Sequence, residues 1–254
     1  MPRYALLLEY DGTGFVGWQR QASGVSVQSV LEAAAARLEH GAPVACTAAG
    51  RTDSGVHAAG QVVHLDLARD IAPRTLCRAL DYHVQPHPIA VLRAAVVPDN
   101  WSARFSAVGR AYCFRILNRP TRPALLANRV WHLDRRLDVA AMREAARLLV
   151  GRHDFTSFRA SSCQAKSPVR TLDRLDVTRF GDEIEVVAEA RSFLHHQVRN
   201  MVGTLKMVGE GRWQASQVSK ALAARDRRAA GPTAPPEGLT LTAVRYAADP
   251  FARD

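Results

Sequence analysis

The order of strand-like and helix-like segments predicts an α+β protein made of two ferredoxin-like halves. Three observations carry that prediction. The first hundred residues run strand, helix, strand, strand, helix, strand. The remainder repeats the theme, with a long amphipathic helix near its end. The chain has 254 residues, 47% of them apolar and 23% charged, the make-up of a folded globular protein with ample core. That composition excludes a collagen-like, wholly disordered or membrane-embedded chain.

Taken in order, Tyr4 to Tyr10 is a strand ended by Asp11-Gly12. From Val27 to Leu38, residues Val27, Val30, Leu31, Ala34, Ala35 and Leu38 keep the helical period, and Ser26 stands at the N-cap position. Val44 to Ala48 and Gln61 to Leu67 are β-like, Thr75 to Leu80 is a short helix, and Ile89 to Val97 is another strand. The halves divide near residue 105, giving 1–105 and 106–254. In the second, Ala111 to Leu117 is strand-like, Val139 to Val150 reads as a helix closed by Gly151, and Leu172 to Val177 pairs with Ile184 to Ala190 across Gly181-Asp182. A long helix over Phe193 to Val208 carries Leu194, Val198, Met201, Val202, Leu205 and Val208 on one stripe. A helix over Gln217 to Ala224, a loop over Ala230 to Gly238 and a strand over Leu239 to Tyr246 close the chain.

With 34 Lys or Arg against 24 Asp or Glu, the formal charge is +10, and 31 of the 34 basic residues are Arg. A guanidinium presents a rigid fork of donors that suits phosphate and stacks on bases, so the excess permits a nucleic-acid partner. A coding bias toward Arg and Ala accounts for it as well. Cys46, Cys77, Cys113 and Cys163 are far apart and form no Cys-x-x-Cys pair, so neither a zinc site nor a disulfide framework is indicated. They read as core residues in a reducing cytosol. The apolar run after Met1-Pro2-Arg3-Tyr4 is broken by Glu9 and Asp11, too short for a signal-peptide core or a membrane span.

Four stretches carry candidate chemistry. Gly12-Thr13-Gly14-Phe15-Val16-Gly17 fits the G-x-G-x-x-G of dinucleotide sites and follows a strand, but Trp18 to Gly24 does not open a helix against which the third glycine would pack. The glycines read instead as a sharp turn presenting Trp18, Gln19 and Arg20. Gly50-Arg51-Thr52-Asp53-Ser54-Gly55-Val56-His57-Ala58 sets a carboxylate on a glycine-bounded loop between strands, where it can approach a substrate closely and where Arg51 favours its ionised form. An Asx-turn, with Asp53 capping its own backbone, explains the same pattern.

Ser102 to Tyr112 (SARFSAVGRAY) brings Arg104 and Arg110 into a strand with Tyr112, an arrangement suited to phosphate contact and base stacking, or equally to a solvated turn before a core Tyr. In Phe193 to Gly203 (FLHHQVRNMVG), His195 and Arg199 are four residues apart and share a helix face. Adjacent His195 and His196 diverge on a helix and have no ligand partner at i+4, so no metal is expected there.

In this order, YDGTGFVGWQRQ, GRTDSGVHAAGQVVH, ARFSAVGRAY and FLHHQVRNMVG resemble the motifs of the tRNA pseudouridine synthase A family, from near the start of the chain to about residue 203. The second and fourth are the specific ones. The resemblance implies the pseudouridine synthase fold, two RRM-like halves joined through a mainly antiparallel sheet with helices on one face. It also implies isomerisation of uridine to pseudouridine at positions 38, 39 and 40 of the tRNA anticodon stem-loop, without metal or organic cofactor. By motif position, Asp53 is the catalytic aspartate, Tyr112 the aromatic that packs against the target uracil, and Arg199 the basic residue paired with the carboxylate. Arg51 is placed with the substrate, and Arg20, Arg104, Arg110 and His195 with the RNA. A cytoplasmic homodimer clamping tRNA is the implied assembly.

The reaction breaks the uracil N1 to ribose C1′ bond, turns the base and rejoins C1′ to C5. A carboxylate can attack C1′, remove the 2′ proton to give a glycal, or add to C6, and sequence does not choose among these. In each case the base must leave the stack, a cost offset by stacking on an aromatic. Two other classes compete: a non-catalytic RNA-binding module, since paired ferredoxin-like units bind RNA well, and a nicotinamide-dependent enzyme, which the glycine loop permits and the missing helix disfavours.

Overall fold

The computed structural model of the chain describes residues 1–252. In chain order its elements are β1 (Arg3–Tyr10), α1 (Val27–Leu38), β2 (Cys46–Ala48), β3 (His57–Asp66), α2 (Pro73–His83), β4 (Ile89–Val97), β5 (Ala107–Asn118), β6 (Trp131–Leu133), α3 (Val139–Arg147), β7 (Gly151–Asp154), β8 (Val169–Phe180), β9 (Glu183–Ala190), α4 (Gln197–Gly209), α5 (Ala215–Ala224) and β10 (Leu239–Tyr246). The α+β class is as expected. Two compact units divide the chain: Met1–Gly109 together with the segment from Leu241 onward, and Arg110–Thr240. The last strand thus returns to the first unit.

In the first unit, β1 lies between β4 and β3 and pairs antiparallel with both, while β2 pairs antiparallel with β3. That is the strand order of a split βαβ unit. Tyr4, Leu6 and Leu8 of β1 are fully buried with Leu31 of α1 and Leu76 and Leu80 of α2. α1 starts and stops where its period predicts. Ser26 caps it reciprocally, its Oγ accepting from the Ser29 amide at 3.1 Å while the Ser29 hydroxyl accepts from the Ser26 amide at 3.1 Å.

Three boundaries in this unit differ from expectation. α2 is longer than its apolar period because Pro73 opens it at the first helical position, where a fixed φ and a missing N–H cost nothing. β2 is confined to Cys46–Ala48, the stretch that finds partners on β3. β3 begins at His57, four residues early, because the end of the polar motif is drawn into pairing, with Ala58 opposite Tyr10. β10 lies beside β3 in the same sheet. Gly60 permits it, since a Cβ there would sit 2.4 Å from the Thr242 carbonyl oxygen.

In the second unit, β5, β9, β8 and β7 follow one another antiparallel, and β6 runs parallel to β5. The core is aromatic, with Phe114, Phe155 and Phe158 fully buried beside Met201 and Leu205 of α4. β8 and β9 turn tightly through Gly181, whose φ of 58° is left-handed.

α3 ends at Arg147 rather than Val150. Leu148, Leu149 and Val150 wind into i to i+3 bonds to Ala145, Ala146 and Arg147, and Gly151 (φ 109°) opens β7 instead of capping a helix. β6 and β7 have three and four residues, too short for a periodic signal. α4 starts at Gln197, four residues later than its apolar stripe suggests, because His196 is left-handed (φ 62°, ψ 6°) and separates Phe193–His195 from the helix. His195 and Arg199 therefore do not share a helical turn, a correction to the i, i+4 reading. Among the described residues, no helix is long and apolar enough to cross a membrane.

Candidate active site

Asp53 occupies the loop between β2 and β3 in the first unit. Its carbonyl accepts from the Val56 amide at 3.1 Å, closing a tight turn. The residues on either side are anchored. Thr52, 6% exposed, exchanges a 2.8 Å hydrogen bond with the Tyr10 hydroxyl, and its carbonyl accepts from the Trp18 amide at 3.0 Å. The Ser54 hydroxyl donates to the Phe15 carbonyl at 3.0 Å. Asp53 is half-buried between these fixed neighbours, and Arg51 is exposed. The backbone that carries the carboxylate is thus held from both sides.

The first glycine motif explains how. A Cβ on Gly12 would lie 2.1 Å from the Val56 carbonyl oxygen, and one on Gly17 (φ 107°) would lie 2.9 Å from the Thr52 carbonyl oxygen and 3.1 Å from the Ser54 amide. Gly12 also donates its amide to Nδ1 of buried His57 at 3.0 Å. These glycines let one loop nest against the backbone of another. No helix follows them until Val27, so the dinucleotide arrangement is absent among the described residues.

The turn does not present Trp18, which is 3% exposed and packs its ring 6.2 Å from that of Tyr10. A large ring with the loop's apolar face to cover is buried there, while Gln19 and Arg20 remain exposed. Arg20 is oriented from within the unit: it donates to Glu32 at 2.7 Å, and Gln28 and the Cys46 amide donate to the other Glu32 oxygen at 2.9 and 3.1 Å.

The third motif spans a turn and a strand. Ala103, fully buried, donates its amide to Nδ1 of His64 at 3.1 Å, and its carbonyl accepts from the Tyr246 hydroxyl at 2.8 Å. Arg104 and Phe105 are exposed, the guanidinium 5.3 Å from the ring centroid.

In the second unit, Tyr112 sits on β5 opposite Ala188 of β9. It is 9% exposed, and the Phe193 ring meets it edge-on, centroids 5.2 Å apart at 90°. Arg110, on the same strand, donates to the Arg191 carbonyl at 2.6 Å. Arg199 on α4 is half-buried; its Nε donates to the Ala234 carbonyl at 2.8 Å, and the Ala234 amide returns a bond to the Arg199 carbonyl at 3.1 Å. The loop before β10 is pressed onto α4, since a Cβ on Gly203 would lie 1.7 Å from the Pro232 carbonyl oxygen.

Asn200, fully buried, ties that loop down. Its Oδ1 accepts from Arg227 at 3.1 Å and from the Thr233 hydroxyl at 2.7 Å, and its Nδ2 donates to the Phe158 carbonyl at 2.9 Å. His195 is exposed before the helix, its ring 4.0 Å from that of His196, with the Ser162 hydroxyl 3.4 Å from Nδ1.

Tyr112, Phe193, Arg110, Arg199 and His195 thus belong to one unit, and Arg20, Arg51, Asp53 and Arg104 to the other. Sequence reading missed Phe193 as a ring partner and Ala234 as the acceptor that orients Arg199. Neither pairing leaves a periodic mark, though the glycine spacing of the first motif was a usable sign of loop-on-loop contact.

The chemistry this offers is that of a carboxylate rather than a thiol. All four cysteines are free, and burial pushes the Cys113 thiol up to about 11 and the Cys46 thiol further still, so neither is a thiolate at neutral pH. A partly exposed carboxylate on a rigid turn suits attack on, or charge stabilisation at, an electrophilic carbon. A largely buried ring such as that of Tyr112, 9% exposed, suits packing against a planar base.

Comparison with known proteins identifies the family. A family profile described as "tRNA pseudouridine synthase" matches residues 7–106 and 145–247. The chain is 64% identical to "tRNA pseudouridine synthase A" of Acidiphilium cryptum over the whole of both chains. It is 60% identical to the protein of that name from Paramagnetospirillum magneticum, covering 98% of this chain and 96% of the relative. To the Gluconobacter oxydans protein of the same name it is 54% identical, covering 99% and 92%. With a loop-borne aspartate in the stretch GRTDSG and relatives this similar along its whole length, the chain belongs to the tRNA pseudouridine synthase family.

Proposed function

We propose that the protein isomerises uridine to pseudouridine at positions 38, 39 and 40 of the tRNA anticodon stem-loop, with Asp53 as the catalytic carboxylate. The observation that carries the role of Asp53 is its loop: Thr52 and Ser54 are pinned by Tyr10, Trp18 and Phe15, which leaves the carboxylate the half-exposed member of a held turn. A reacting group held in place on rigid backbone lowers the barrier by pre-arranged geometry.

Asp53 attacks C1′ or stabilises positive charge there while the N1 to C1′ bond breaks; the base then turns, C1′ bonds to C5, the C5 proton leaves to solvent and N1 takes up a proton. Routes through a glycal or through C6 addition use the same carboxylate. Tyr112, stiffened by Phe193, packs against the displaced uracil, and Arg199 and Arg51 supply positive charge for the carboxylate. Arg20, Arg104, Arg110 and His195 contact the RNA, as exposed or strand-end donors near the two motif clusters. The working form is a cytoplasmic homodimer that needs no metal, organic cofactor or nicotinamide.

The test uses tRNA transcripts tritiated at uracil C5, because forming the C1′ to C5 bond releases that label. Wild type releases tritium and Asp53→Asn does not. A wild type that releases none, or an Asp53→Asn variant that works normally, refutes the assignment; RNA binding without release by the wild type identifies a non-catalytic binding module instead.

A further inference from the structure

Behind the Asp53 turn lies a buried polar relay that the reaction itself does not touch. Tyr10 (4% exposed), Thr52 (6%) and Gln61 (0%) come together from β1, the turn and β3. The Tyr10 hydroxyl and Thr52 Oγ1 are 2.8 Å apart, and Gln61 Nε2 reaches the Gly50 carbonyl at 2.8 Å and the Tyr10 oxygen at 3.4 Å.

The bond directions follow from chemistry. Nε2 must face Gly50, because the reversed amide would set two carbonyl oxygens against each other. Nε2 therefore also donates to the Tyr10 oxygen, and the single Tyr10 proton goes to Thr52. Burial pushes the Tyr10 hydroxyl up to about 12, so it stays a donor at any working pH.

Both ends of the relay grip the turn, at Gly50 and at Thr52, one residue before the carboxylate. Ordinary core packing does not require this. Phenylalanine fills the same space as Tyr10, and a buried hydroxyl is costly unless it is bonded. We infer that Tyr10 and Gln61 are positioning residues of the reaction, acting through Thr52 to set the reach of the Asp53 carboxylate.

The inference rests on the assignment of Asp53, and the experiment separates the two. Turnover of C5-tritiated tRNA is measured for wild type, Asp53→Asn, Tyr10→Phe, Thr52→Val, Thr52→Ser and the Tyr10→Phe/Thr52→Val double variant. Small misplacements of a reacting group reach about a hundredfold in rate. Accordingly Tyr10→Phe and Thr52→Val are each expected to lower kcat by about tenfold, with KM and tRNA affinity within about twofold.

The double variant loses no more than about twofold beyond either single one, since both remove one bond, and Thr52→Ser, which keeps the oxygen, stays near wild type. Tyr10→Phe turning over at the wild-type rate, or a double loss equal to the product of the single ones, overturns the inference. If Tyr10→Phe does not stay folded at the assay temperature, Thr52→Val against Thr52→Ser decides alone: equal rates overturn it. An active Asp53→Asn refutes the catalytic assignment instead.

Discussion

Replacing Gly17 by Ala tests whether the first motif exists to hold the catalytic turn. The new Cβ would lie 2.9 Å from the Thr52 carbonyl oxygen, where ordinary contact begins near 3.4 Å, so that oxygen must retreat by about 0.5 Å. The peptide between Thr52 and Asp53 is planar and rigid, so the shift carries Asp53 with it. The 3.0 Å bond from the Trp18 amide to the same oxygen stretches out of good range, a loss of about 1 kcal/mol. Left-handed backbone at a residue with a side chain adds about 1–2 kcal/mol.

Together these lower the melting temperature by about 4–12 °C and, through displacement of the carboxylate, the turnover rate by about ten- to a hundredfold. Gly14 is the internal control. It is also left-handed (φ 85°), but nothing lies within 4 Å of its missing Cβ. Gly14→Ala meets only the backbone cost and keeps its turnover. Thermal melts and tritium release on the two variants, side by side, separate strain from displacement. Equal loss of activity in both, or full activity in Gly17→Ala, refutes the reasoning.

Three further outcomes are expected. Tyr112→Ala lowers turnover far more than tRNA affinity; equal losses in filter binding and in tritium release would make Tyr112 a general RNA contact. Asn200→Ala removes the donor to the Phe158 carbonyl and the acceptor of the Thr233 hydroxyl proton, whose oxygen still accepts from Arg227, and costs about 2–4 kcal/mol in urea unfolding, whereas a loss below about 0.5 kcal/mol would show the Arg227 loop to hold without it. His64 is held below its usual 6.5 by burial and the nearby Arg3 guanidinium, and its Nδ1 must be unprotonated to accept from Ala103. Its folded pKa lies below its unfolded one, so its contribution is complete above about pH 6.5 and falls as the pH drops through that window; His64→Gln should flatten this part of the melting-temperature profile.

Much of the fold was legible because local rules and tertiary demands coincide along α1, β4 and β10. Ser26 caps where a serine should, and of the apolar positions of α1 that keep its period Val27, Val30, Leu31, Ala34 and Ala35 are buried, while Leu38 in the last turn is half-buried. The discrepancies arise where a single backbone conformation overrides a pattern. The stripe of α4 extends back to Leu194, and Leu194 is indeed buried, but left-handed His196 stops the helix short of it. α3 loses its last residues to Gly151, a glycine serving a strand rather than a cap. In the site, the residue types and their order were readable, while their partners were not. Nothing near Trp18 in sequence says that its amide belongs to Thr52, or near Arg199 that its Nε belongs to Ala234.

By itself the sequence determined the α+β class and the four motifs, because periodicity, capping and motif spacing are properties of neighbouring residues, and the resemblance of those motifs to a family pointed to the one carboxylate to test. Only the tertiary structure decided what the glycines of the first motif are for and which side chains stand behind Asp53. Those answers depend on loops packed too closely for a Cβ and on hydrogen bonds of about 3 Å between segments some forty residues apart, and no local pattern encodes a distance across that gap.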